Sequence, residues 1–254
     1  MVKEMRNKGQ VALFILVALV IVIFIGLLFF LSRRSGIPTA DTTNPEAMVT
    51  SCVRAVVHEA VDIILPQGGF ISPVNYKTYK KTNIAYLCEH IGYFKTCIQQ
   101  HPALLDEMRR EILTYAQPKI EQCFTTMEQT LQQKDYQVTQ GPLILSLSFG
   151  SDLIVVDMQK KILLSKQGTT RSFQNFHFEV STPLYDLSKV AQEIANQEAK
   201  YCYFEYVGYM LLYPKFSIEK IALADSTKIY TITDKKSGAL MNIALRSCAL
   251  PPGI

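Results

Sequence analysis

The stretch ALLDEMRREILTYAQPKIEQCFTTMEQTLQQK, Ala103 to Lys134, decides the fold. Leu105, Met108, Ile112, Ala116, Ile120, Cys123, Met127 and Leu131 recur at steps of three and four, which puts one apolar stripe on a long helix. Pro118 lies inside that stripe. It removes a backbone donor and crowds the preceding turn, so a kink or a division of the helix is predicted there.

Downstream the period changes from helical to alternating. Leu143, Leu145, Leu147 and Phe149 alternate with Ile144, Ser146 and Ser148, the pattern of a half-buried strand. Leu153–Met158 and Lys161–Ser165 read as two further strands with a turn at Gln159-Lys160. Phe176, Phe178 and Val180 mark another, and Thr182-Pro183 opens a helix carrying Leu184, Leu187, Val190, Ala191 and Ile194. Ser217–Leu223, Lys228–Thr233 and Ala239–Arg246 read as strands, the last two joined through Asp234-Lys235-Lys236-Ser237-Gly238. Strands joined by short polar turns and interrupted by helices predict an α+β domain with antiparallel pairing.

Upstream, Asn44-Pro45-Glu46 carries a helix start: a capping Asn, Pro at the first helical position and an acidic first turn. Met48, Val49, Cys52, Val53, Val56, Val57, Ala60 and Ile64 form its buried face, and Pro66 with Gly68-Gly69 stops it. Residues 70–100 hold Tyr76, Tyr79, Tyr86 and Tyr93 among Lys77, Lys80, Lys81 and Lys95, and read as a solvated loop with half-buried tyrosines.

Val11–Leu31 is 21 residues without charge, amide or hydroxyl. A helix of that length is roughly 31 Å long, matching a hydrocarbon core, so a transmembrane helix is expected. No second run approaches it, which excludes a polytopic transporter. Lys3, Arg6 and Lys8 precede it and Arg33 and Arg34 follow, a bias toward an N-terminus inside and the large domain outside. Bulky Phe29-Phe30-Leu31 before the arginines fits a cleaved secretory signal poorly. The expected organisation is a basic leader at 1–10, a transmembrane helix at 11–31, a linker at 32–44 and an extracytoplasmic α+β domain at 45–254. Lys8-Gly9-Gln10-Val11 resembles the processing signal of archaeal type IV pilin-like proteins, which implies a cut after Gly9 and helix-mediated assembly. Phe14 stands where bacterial type IV pilins carry a glutamate, so an uncut anchor stands beside that reading.

The layout is also similar to a family of uncharacterised single-pass proteins of small-genome archaea. The resemblance rests on Lys8-Gly9-Gln10, Cys52, Gln67-Gly68-Gly69-Phe70, Arg246-Ser247-Cys248 and Pro251-Pro252-Gly253. It implies architecture and location at the cell membrane, without an activity.

Composition narrows the function. The chain is 48% hydrophobic and 19% charged, which excludes disorder for most of it. The net charge of +4 is weak, and two of those charges sit in the leader, so no nucleic-acid partner is expected. Six cysteines, Cys52, Cys88, Cys97, Cys123, Cys202 and Cys248, allow up to three disulfides in any of about 15 pairings. Cys88, His90, Cys97 and His101 offer a zinc ligand set, but the spacing lacks a paired knuckle, and a Cys88–Cys97 bridge is the preferred reading. No nucleophile elbow, zincin helix or phosphate loop occurs, so neither a cofactor nor an enzyme is expected. His177, between Phe176 and Phe178, is expected on the outer face of a strand. Glu107, Glu111, Glu121 and Glu128 are read as solvated carboxylates on the long helix.

The leading expectation is a membrane-anchored structural or interaction protein at the cell surface. Its expected partners are the lipid bilayer through Val11–Leu31, further copies of itself or other surface proteins. An anchored hydrolase and a surface ligand-binding module are the alternatives, with Tyr201–Tyr213 as the stretch to inspect for an exposed apolar patch.

Overall fold

The computed structural model describes residues 17–22, 44–90, 92 and 95–248. The chain divides into two units, Met1–Asn44 and Pro45–Ile254. In the first, the described stretch is the helical Val17–Val22. Among the described residues, no helix is long and apolar enough to cross a membrane. That finding corrects the expected transmembrane helix and what was built on it: the single-pass location, the lipid and self-assembly partners, and the pilin-like and single-pass family resemblances. The processing motif Lys8-Gly9-Gln10 lies outside the described residues.

The second unit is α+β. Helix α1, Pro45–Ile64, buries Val49, Val53, Val56, Val57, Ala60, Val61 and Ile64 on one face. Helix α2, Leu104–Gln132, buries Leu104, Met108, Ile112, Ala116, Ile120, Cys123, Phe124, Met127 and Leu131. The two pack along each other, and Cys52 is bonded to Cys123 across their contact with Cα atoms 6.0 Å apart. Each large aliphatic side chain in this seam stabilises the fold by roughly 1.5–3 kcal/mol. Helix α2 runs unbroken through Pro118. The expected division is absent because the disturbed turn faces solvent: Thr114, Gln117 and Pro118 are exposed, while Ala116 and Ile120 stay buried.

Residues 70–100, expected as a loop, form strands β1 (Tyr76–Tyr79), β2 (Thr82–His90) and β3 (Cys97–Gln99). The run Ala85-Tyr86-Leu87-Cys88 has no polar alternation because both faces of β2 are covered. Tyr93 lies outside the described residues.

Strands β4 (Gln137–Gln140), β5 (Ile144–Gly150), β6 (Leu153–Lys166) and β7 (Thr169–Ser181) make an antiparallel sheet. The turn expected at Gln159-Lys160 is instead a bulge in one continuous β6. Gln159 pairs with Asn175 and Ile162 with Phe173, so Lys160 and Lys161 together oppose Gln174. Lys160 is 9% exposed, donates to Gly141 O at 2.8 Å and lies over the Phe124 ring.

Helix α3, Leu184–Tyr201, lies on the larger sheet, and helix α4, Tyr206–Leu212, leads into β8 (Phe216–Ala222). Strands β9 (Thr227–Asp234) and β10 (Leu240–Arg246) complete the larger sheet, whose order is β1-β2-β10-β9-β8 with β3 beside β2. Its pairings are antiparallel except one: β2 and β10 run parallel, at Tyr86–Glu89 against Ala244–Arg246. One apolar core joins α1, α2, α3 and the inner faces of both sheets. A small cluster of Ile84, Tyr86, Ile229 and Ala244 fills the outer face of the larger sheet.

Two polar knots pin α3. At its start, Lys215 Nζ lies 2.7 Å from Asp186, 2.9 Å from Asp152 and 3.7 Å from Asp234, joining the β5–β6 turn, α3 and the β9–β10 turn. The Asp186 hydrogen bond is the main cause that raises the Lys215 ammonium above the usual lysine range. At its end, Glu198 is fully buried. The Tyr230 hydroxyl donates to Glu198 Oε1 at 2.5 Å, while Lys228 Nζ and Ser247 Oγ donate to Oε2, each at 2.7 Å. Burial, then the neighbouring carboxylate, push the Tyr230 phenol up from its ordinary value.

Removing one partner from such a buried charge network costs about 3–5 kcal/mol. Glu198→Ala is therefore expected to lower unfolding free energy by about that amount in urea titrations, because it strands Lys228 and the Tyr230 hydroxyl. A loss below about 1 kcal/mol would show that water replaces the carboxylate and that the knot contributes little.

Candidate functional site

The residues flagged for metal do not assemble. Cys88 is bonded to Cys97 between β2 and β3, so neither sulfur is a thiolate ligand. His90 Nε2 lies 3.0 Å from Ser226 Oγ on the β8–β9 turn, and His101 turns instead to Glu107. No group of three or more His, Cys, Asp or Glu side chains suited to a metal occurs among the described residues. Cys202 is bonded to Cys248, beside the Glu198 knot. His177 sits exposed on β7, its Nδ1 2.7 Å from Asp157 on β6. The Asp157 hydrogen bond chiefly raises its pKa, as in an ordinary cross-strand pair.

Within Tyr201–Tyr213, helix α4 presents exposed apolar side chains, while Cys202 and Phe204 are buried. None of the seven residues of α4 is buried, and Leu211 and Leu212 are 80% and 77% exposed. Phe204, Tyr209 and Tyr213 form a tilted ring stack along it.

Polar groups and an aromatic ring converge elsewhere, in a cleft of about 320 Å³ near the start of α2. Its construction begins at the turn that ends α1. Gly69 N donates to Ile64 O at 2.8 Å, closing the helix, and Ala85 N donates to Gln67 O at 3.1 Å, fastening the turn to β2. Gly68 and Gly69 have φ of +80° and +103°. A Cβ on Gly69 would sit 3.0 Å from Met108 Cγ and 3.3 Å from Leu104 Cδ1, so only glycine lets this turn lie on α2.

The chain then supplies Phe70, Ser72, Pro73, Val74 and Asn75 to one wall. Gln67 Nε2 bridges Ile63 O and Ile71 O, and Ile71 N donates to Glu111 Oε2 at 2.9 Å, which ties the loop to the second turn of α2 after its start. Gln100 and His101, between β3 and α2, close the other side. The Phe70 and His101 rings lie 4.5 Å apart, and His101 Nδ1 is 2.6 Å from Glu107 Oε2.

Glu107 and Glu111 were expected as solvated carboxylates, and both have structural partners at this cleft. Glu128 likewise accepts from Gln140 Nε2 at 3.0 Å on β4. Helical spacing alone conceals such roles, because the partners come from distant segments. The sequence offers His101 only as a zinc ligand and Phe70 only within the Gln67-Gly68-Gly69-Phe70 resemblance, and it does not single out Ser72, Asn75 or Gln100. The available signal is the Gly68-Gly69 pair directly before Phe70, with Ser72 and Asn75 spaced after it.

Comparison with known proteins finds no family model, no curated protein and no solved structure that matches the chain.

The glycine turn makes a quantitative claim. Gly69→Ala should destabilise the domain by about 1–3 kcal/mol in chemical unfolding, through backbone strain and the Met108 clash. Gly168→Ala, at φ +79° with nothing near the added Cβ, is the comparison for backbone strain alone and should cost less. Equal losses at the two positions would show that α2 yields and that the turn does not depend on close approach.

Proposed function

We propose that this domain binds a small organic molecule in the cleft between the 65–75 loop and α2, and that it holds the molecule without transforming it. The observation that carries the reading is convergence. Side chains from the loop after α1, from the β3–α2 connection and from α2 itself meet around one concavity with an aromatic floor. A volume of about 320 Å³ falls at the lower end of small-molecule sites, which run from about 300 to 1,000 Å³. The walls are fixed in advance by Gln67, Ile71 and Glu111, and preorganisation of that kind favours binding. The ring contact with Phe70 and the hydrogen bond to Glu107 support an orienting role for His101. A nucleophilic site would instead couple the imidazole to a hydroxyl or thiol within hydrogen-bond reach.

The test is a protein-observed NMR titration of the full chain with a panel of small cationic, neutral and anionic aromatic compounds. Saturable shifts at the Gly69, Ile71, Gln100 and His101 amides are expected for at least one charge class. Ser72→Trp, an exposed lining position, should abolish those shifts while changing stability by less than about 0.5 kcal/mol. Failure of every class to move these amides at millimolar concentration would overturn the reading, as would undiminished binding by Ser72→Trp.

A further inference from the structure

Resting on that reading of the cleft, we infer that its occupant is a small organic amine in its ammonium form. The charge arrangement carries this. Glu111 Oε2 accepts from Ile71 N, and among the described residues Glu111 has no other hydrogen-bond partner and no ion pair. Two other carboxylates nearby are already matched, Glu107 by His101 and Glu89 by Arg246. No lysine or arginine lines the cleft. The wall therefore holds one half-buried carboxylate without a counter-charge, in surroundings less screened than open solvent.

The neutral polar groups point to the same chemistry. Asn75 Nδ2 donates to Glu89 Oε2 at 2.7 Å, and Gln100 Nε2 donates to Ile98 O at 2.9 Å. Among the described residues, the oxygens of both amides accept no hydrogen bond. Besides the Ser72 hydroxyl and the second hydrogens of the two amides, which can donate, the cleft thus offers acceptors: the Glu111 carboxylate and two amide oxygens. An ammonium brings up to three donors and a positive charge to them. The Phe70 ring adds an electron-rich face of the kind that attracts cations, and an apolar surface for the carbon frame. A carboxylate ligand would face Glu111 with like charge. The volume is also larger than a bare metal ion needs, and the nearby groups do not make a metal-ligand set.

The experiment compares benzylamine, benzyl alcohol and benzoate, which share a ring and differ in charge, by NMR titration of the full chain at constant ionic strength. Calcium chloride is titrated separately. Benzylamine should bind at least tenfold more tightly than benzyl alcohol, with benzoate weakest and calcium producing no saturable shifts at the cleft amides. Glu111→Gln, which keeps an acceptor for Ile71 N, should bring benzylamine affinity down to that of the alcohol. If the alcohol or benzoate binds as tightly as the amine, or calcium alone saturates the site, the amine assignment falls while the cleft stands as a binding site. If none of the probes binds, the amine assignment is overturned, and the broader panel above separately decides the binding reading. If Glu111→Gln fails to fold, the charge series on the wild-type chain decides the assignment.

Discussion

A carboxylate with no surface exposed to water must be met entirely by protein, and Glu198 imposes that requirement on the larger sheet. Tyr230 and Lys228 from β9, and Ser247 after β10, supply its donors. The last turns of α3 can therefore take only one position on those strands. Lys215 holds the other end of α3 through Asp186. A helix pinned at both ends becomes a reference rail for what leans on it. Ser188 Oγ reaches Met108 Sδ at 3.2 Å, and Gln192 Nε2 donates to Pro102 O at 2.6 Å. Those contacts set where α2 starts, and the start of α2 sets the cleft.

The cleft then uses a second constraint, one of space rather than charge. Met108 is buried against α3 on one side and meets the Gly69 turn on another. The turn can approach because it carries no side chain there, and its approach brings Phe70 over His101. Glu111 serves both ends of the arrangement. One of its oxygens stops the loop at Ile71, and the other is left as the unmatched charge of the site. One side chain thus both fixes the loop and lines the cleft.

How much of this was legible in the sequence depends on how local each cause is. Helical stripes are local, so α1, α2 and α3 could be read from the steps of three and four and from Pro45 and Pro66. Alternation located β5 and β7–β10. It failed for β6, because a bulge and a turn both interrupt pairing at Gln159-Lys160 and only the partner strand distinguishes them. It failed for β2 because a strand covered on both faces does not alternate, and its parallel partner β10 lies more than 150 residues away. The Val11–Leu31 reading followed from hydropathy alone and is not supported by the helices the structure describes. The cleft was least legible. Glu107 and Glu111 are ordinary on a helical wheel and His101 reads only as a metal ligand, and what distinguishes them are a ring at position 70 and an amide at position 71.

The disulfide pattern gives the cleft another property. Cys52–Cys123 closes a covalent ring across 71 residues, and Cys88–Cys97 closes a smaller ring inside it. Every residue that lines the cleft, from Phe70 to Glu111, lies within the larger ring. Val74, on the rim, is 98% exposed, the kind of loop tip at which proteases cut. A cut beside it opens the chain but not the molecule: both pieces stay joined through Cys52 and Cys123, and the strands and helices that shape the site remain covalently tethered. The cleft region is the segment of this domain built to outlast the continuity of its own backbone.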